Sequence, residues 1–122
     1  MPLEVADFLY EETDQFNQQF LGTGSAGVVY TAMRYGVNYE LIHSEEDLKF
    51  ALENGKFVFI AVNYIHGLTH AYLCMGYDHG QTFVKDSDNP KYNMWHDISE
   101  LWNNRSMDPI DNNAGSQIIA LW

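Results

Sequence analysis

Two β-rich runs separated by a tight reversal constrain this chain more than any other feature. Ala71-Tyr72-Leu73-Cys74-Met75 and Thr82-Phe83-Val84 carry the branched and aromatic side chains that suit a pleated surface, and Asp78-His79-Gly80 between them suits a hairpin turn. A hairpin there commits the second half of the chain to antiparallel pairing. Phe57-Val58-Phe59-Ile60-Ala61-Val62 upstream and Gln117 to Leu121 at the end supply further strands, with a short helix expected over Ile98 to Asn103.

The first half reads differently. Pro2 suits a first helical turn, and Leu3, Ala6, Leu9, Tyr10 and Phe16 or Phe20 recur near helical spacing, which predicts a helix over about residues 3–19. Gly22-Thr23-Gly24-Ser25 ends it and offers hydroxyl caps for a second helix, Ala26 to Tyr35, closed by Gly36. Val37, Tyr39 and Leu41 alternate as in a short strand. Ser44-Glu45-Glu46-Asp47 has the form of a capping box for a third helix, with Leu48, Ala51 and Leu52 on its apolar face and Asn54-Gly55 as its stop. Helices followed by a mostly antiparallel sheet make an α+β fold. At 122 residues and 46% hydrophobic, a single domain is expected, helical over 1–54 and sheet-forming over 55–122.

Seventeen acidic residues against six basic ones give a net charge of −11, which repels nucleic acid and anionic lipid; in most proteins such an excess is only a soluble surface, and a cationic peptide partner is the sharper reading. The apolar runs are too short to span a bilayer, so no membrane insertion is expected. The N-terminus lacks the basic start and apolar stretch of a signal peptide. One cysteine, Cys74, rules out an intramolecular disulfide and leaves the compartment open.

Several constellations invite chemistry. Gly22-Thr23-Gly24-Ser25-Ala26-Gly27 matches a dinucleotide fingerprint by letter, but that motif needs a strand before it; the glycines read better as a turn between packed helices. His66 and His70 would begin a zinc site on a helix, yet on a strand they stand about 13 Å apart. The acidic stretch Asp108 to Asn113 lacks the spacing of a calcium loop. No metal or cofactor is therefore expected. Cys74 sits between Leu73 and Met75 in an expected strand, where a thiol acts as a small buried hydrophobe. His70, at the start of one strand, and Asp86, at the end of the next, are the more informative pair. Folding back through the hairpin can bring the carboxylate to the imidazole, which it would orient and stabilise when protonated.

The order of these segments resembles the papain-like double-glycine leader peptidases that process bacteriocins, and their secreted bacterial relatives. The likeness runs through Gly22 to Gly27, Ser44 to Asn54, Gly55-Lys56-Phe57-Val58, Thr69-His70-Ala71-Tyr72-Leu73, Gly76-Tyr77-Asp78 and Val84-Lys85-Asp86. It continues through Ile98 to Trp102, Asp108 with Asp111, Ala114-Gly115-Ser116 and Ile118-Ile119-Ala120. It corresponds to the later two-thirds of a family domain and implies a papain-like cysteine peptidase fold lacking its N-terminal cysteine helix. It also implies His70 as general base, with Asp86 as its orienting partner and Asp88 as the alternative. Thr69 and Ser87 replace the family's usual Gly and Pro, and no cysteine precedes Gly55.

A base without a nucleophile cannot perform thiol acyl transfer. The expectation is a cysteine peptidase-like domain inactive by itself, as a fragment or a split or truncated gene product, or else a non-enzymatic peptide- or protein-binding module on a degenerate peptidase fold. Without a cysteine helix, an apolar face would be left uncovered, which favours self-association or a partner that fills it.

Overall fold

The computed structural model describes residues 24–63, 69–85, 93–109 and 111–122. The helix expected over about 3–19 lies outside them. The first described element, α1 (Gly24–Arg34), begins two residues earlier than its apolar pattern suggested. Ser25 lies inside the first turn, and the Asn113 side-chain oxygen accepts the Ala26 N–H at 2.7 Å and the Ser25 hydroxyl at 3.4 Å, while Ser25 Oγ accepts the Ala114 N–H at 3.0 Å. An amide distant in sequence satisfies a donor that a helix start leaves orphaned. At the other end Gly36 takes φ 69°, and the Val37 N–H reaches the Ala32 carbonyl at 2.8 Å, closing a Schellman motif.

Helix α2 (Glu45–Glu53) follows its sequence signals. Ser44 is the N-cap, its hydroxyl accepting the Asp47 N–H at 3.1 Å, with three carboxylates in the first turn to meet the helix dipole. Gly55, at φ 77°, ends it, and the Lys56 N–H bonds the Ala51 carbonyl. Helix α3 (Ile98–Asn103) is capped by Asp97, whose carboxylate accepts from the N–H groups of Ser99 and Glu100.

The strands are β1 (Tyr39–Leu41), β2 (Phe57–Asn63), β3 (Thr69–Asp78), β4 (Gln81–Lys85), β5 (Met94–Asp97) and β6 (Ile118–Leu121), forming one sheet in the order β1-β6-β2-β3-β4-β5 with every pairing antiparallel. Three helices with this sheet make the fold α+β. Strand β5 was not evident in the sequence. Strand β1, expected from the alternation of Val37, Tyr39 and Leu41, pairs with β6, so the sheet draws on both sides of residue 54.

The expected hairpin is present. Asp78 pairs with Gln81, and His79 (φ 49°) and Gly80 (φ 81°) form the two-residue turn whose left-handed residues match strand twist. One extra residue lies between the Met75–Phe83 and Asp78–Gln81 rungs. Gly76 at φ 74° absorbs it as a bulge, and the buried Thr82 hydroxyl donates to the carbonyls of Gly76 at 2.7 Å and Met75 at 3.2 Å.

Strand alternation divides the core in two. Val58, Ile60, Val62, Cys74, Val84 and Ile118 face α2 and α3; Phe59, Leu73, Ile119 and Leu121 face α1 through Val28 and Ala32. The strands β2 and β6 are thus buried on both sides, and large apolar side chains surface at the margins, as with Trp95 on edge strand β5 and Met33 on α1. Among the described residues no helix is long and apolar enough to cross a membrane.

Gly115 tests how tightly β1 is seated. It takes φ 107°, and an added Cβ would lie 3.3 Å from Leu41 Cδ1. Gly115→Ala is therefore expected to lower the unfolding free energy by about 2 kcal/mol through backbone strain and crowding. A urea midpoint unchanged from wild type would show that this turn can relax freely.

Candidate functional site

His70 is the second residue of β3 and pairs with Val62 of β2. Val62 also makes an isolated bridge to Arg105 on its other side. Residues opposite one another in an antiparallel ladder point to the same face, so His70 and Arg105 flank Val62 on the face packed by α2 and α3. His70 is half-buried. Its ring meets Tyr72 edge to face, centroids 5.2 Å apart, and Tyr72 stacks against His96 of β5 at 6.3 Å. Tyr72 packs partly buried against the core, as does Trp102 of α3.

The Arg105 guanidinium lies 3.9 Å from the centroid of the Trp102 ring, and its Nη1 donates to the Trp102 carbonyl at 2.8 Å. The turn after α3 holds this arginine in place. Asn104 donates to the Asn63 carbonyl, the Asn63 N–H reaches the Asn104 carbonyl, and the Ser106 N–H reaches the Ala61 carbonyl. These bonds tie the end of β2 to the end of α3. One end of the sheet therefore gathers an imidazole, two aromatic rings and a guanidinium. The Nε2 atom of His96 is buried with no hydrogen-bond partner among the described residues.

The hairpin returns β4 toward this end. The final described rung joins Leu73 to Lys85, three residues along β3 from His70. Asp86 and Asp88, the carboxylates expected to pair with His70, lie outside the described residues, as does His66.

Cys74 is placed as its neighbours suggested. It pairs with Val58 and Val84 on two sides, is 1% exposed, and burial pushes its thiol up to about 12. Four strand residues separate it from His70, about 13 Å. A thiol that remains protonated this far from an imidazole is not a nucleophile for it.

The other motifs resolve structurally where they are described. Gly24 to Gly27 form the first turn of α1, whose Ala26 N–H is already taken by Asn113. In the acidic stretch Asp111 accepts the Ser106 hydroxyl at 2.6 Å, and the Asn112 amide donates to the Asp108 carbonyl at 2.9 Å. Among the described residues no group of three His, Cys, Asp or Glu side chains could hold a metal ion.

Sequence reading singled out His70 but not Tyr72, His96, Trp102 or Arg105. The register of β2, with β3 on one side and Arg105 on the other, brings His70 and Arg105 together, and the β4–β5 pairing brings in His96. The one available signal was compositional, an arginine among six basic residues in a chain of charge −11. No protein-family model matches this chain, and no curated protein is found to be similar to it.

Proposed function

We propose that this chain is a cysteine peptidase-like domain on a papain-like scaffold, supplying the histidine side of a thiol acyl-transfer site and no nucleophile of its own. One observation carries the reading: His70 opens β3 at the half-buried end of the sheet, while the only thiol is sealed in the core. His70 acts as general base toward a thiol delivered from outside these residues. In this reading Asp86 accepts the Nδ1 proton of His70, fixing the tautomer in which Nε2 carries the lone pair that takes the thiol proton. Alone, the chain hydrolyses no peptide. A second reading, a peptide-binding module on the same degenerate scaffold, is favoured by the aromatic surfaces of Tyr72, edge to face with His70, and of Trp102, against Arg105.

Two measurements test this. Proton–nitrogen NMR of the His70 ring is expected to show the Nδ1-protonated tautomer, giving way to a mixture in Asp86→Asn. A change in Asp88→Asn instead would move the role to Asp88, and no change in either variant would remove the dyad. A fluorogenic peptide assay is expected to give no turnover. Turnover abolished both by alkylation and by Cys74→Ala would overturn the assignment of Cys74. Peptide affinity that survives His70→Ala, in a protein without the dyad tautomer, selects the binding module.

A further inference from the structure

Arg105 is unusually placed for its charge. Acidic residues outnumber basic ones by seventeen to six, yet the ion pairs among the described residues involve Lys49, Lys56 and His79, and none involves Arg105. Its guanidinium is held over the Trp102 ring and spends one of five N–H donors on the α3 carbonyl. The cap accounts for that one donor, but it leaves most of the planar fork unassigned in a protein rich in carboxylates.

Its location adds the second observation. Arg105 and His70 stand on opposite sides of Val62 with their side chains on one face, and two strand spacings place their backbones about 10 Å apart. That span corresponds to about three residues of an extended peptide. Tyr72 and Trp102 provide ring surfaces at the same end, each packed against the core and so fixed in position. The chain's net charge of −11 disfavours free anions, so a carboxylate is held here only when the ligand that bears it also makes apolar contacts.

We infer that Arg105, on its Trp102 shelf, receives a carboxylate of a peptide lying across the His70 end of the sheet, either the C-terminal carboxylate or an Asp or Glu side chain. A guanidinium meets a carboxylate through two parallel N–H bonds, and stacking on an aromatic ring pre-sets its plane. The inference rests on the reading of this end as a peptide site. Its experiment measures binding alone, so a failure of the dyad or of hydrolysis leaves it standing.

Three probes separate the sources: acetyl-Ala-Phe-Ala with a free C-terminus, the same peptide as its C-terminal amide, and acetyl-Ala-Phe-Glu-amide. Each is titrated into the full chain while tryptophan fluorescence and NMR shifts of the Arg105 side chain are followed. At least one acid is expected to bind about tenfold more tightly than the neutral amide, and which acid does so identifies the source. The contrast should vanish in Arg105→Gln and persist in weakened form in Arg105→Lys, both checked for native circular dichroism. An arginine that only caps α3 predicts equal binding of acid and amide to the wild type. Equal binding, no binding of any probe at millimolar concentration, or a contrast that survives Arg105→Gln would each overturn the inference.

Discussion

Ile60→Ala is expected to lower the unfolding free energy by about 3–4 kcal/mol, a substantial part of what a domain of this size possesses. Ile60 is fully buried at the centre of β2, between Tyr72 of β3 and Ile118 of β6, and belongs to the cluster that includes Leu48 and Leu52 of α2. Strands on both sides and a helix above limit how far the surroundings can collapse, so the lost contacts leave a cavity. Ile60→Val, which removes one methylene, should cost about 1 kcal/mol. Phe50→Ala provides the contrast: Phe50 is 64% exposed, and its replacement should change stability by less than about 0.5 kcal/mol. Urea unfolding reads all three as midpoint shifts at constant slope. A loss below about 1 kcal/mol for Ile60→Ala would mean that this layer of the core is not closed. The same variant removes the cross-strand neighbour of Tyr72, so the NMR signals of His70 should shift along with the stability.

The elements legible in the sequence are those whose signals are local. Ser44 caps a helix because its own hydroxyl reaches three residues ahead, and Gly55 ends that helix because it alone adopts the left-handed angle there. The β3–β4 hairpin is written in His79 and Gly80 for the same reason. Strand β5 was missed because Met94-Trp95-His96-Asp97 lies at the sheet edge with both faces largely open, which imposes no alternation on its residues. The bond from the Ala26 N–H of α1 to Asn113 was not legible because it spans 87 residues. The candidate site divides along the same line. His70 opens a recognisable strand, whereas Arg105 reaches the site only through its bridge to Val62, and His96 only through its pairing with Thr82.

Helices on both faces of the central strands bear on the consequence first expected of a missing cysteine helix. Clusters packed against α1 on one side and against α2 and α3 on the other leave β2 and β6 enclosed. Among the described residues the large exposed apolar side chains include Met33 of α1, Phe50 of α2 and Trp95 of edge strand β5, the last edge-on to Phe83. A ligand therefore has more to gain at the sheet end beside His70, where fixed rings and a cation meet, than over the sheet's central strands.

Cys74 supplies the second large effect, through pH. The folded protein holds the thiol protonated up to about 12, against an ordinary value of 9.0, because burial excludes the thiolate. The unfolded chain loses the proton at the ordinary value. The stabilisation is thus complete below pH 9 and declines as pH rises toward 12, by about 1.4 kcal/mol per unit, reaching roughly 4 kcal/mol at the upper limit. Tyrosines and lysines titrate in this range too, so the measurement is the difference in urea midpoint between wild type and Cys74→Ala, followed from pH 8 upward. The wild type should lose its margin over the alanine variant as the pH climbs, and native Cys74 should resist alkylation at pH 8 while the urea-unfolded chain reacts at once. Parallel stability curves, or rapid alkylation of the native state, would place the thiol in contact with water and reopen its candidacy as a nucleophile. A thiol sealed in this way remains inert beside any imidazole, so under the proposed function the nucleophile for His70 is a thiol outside these residues.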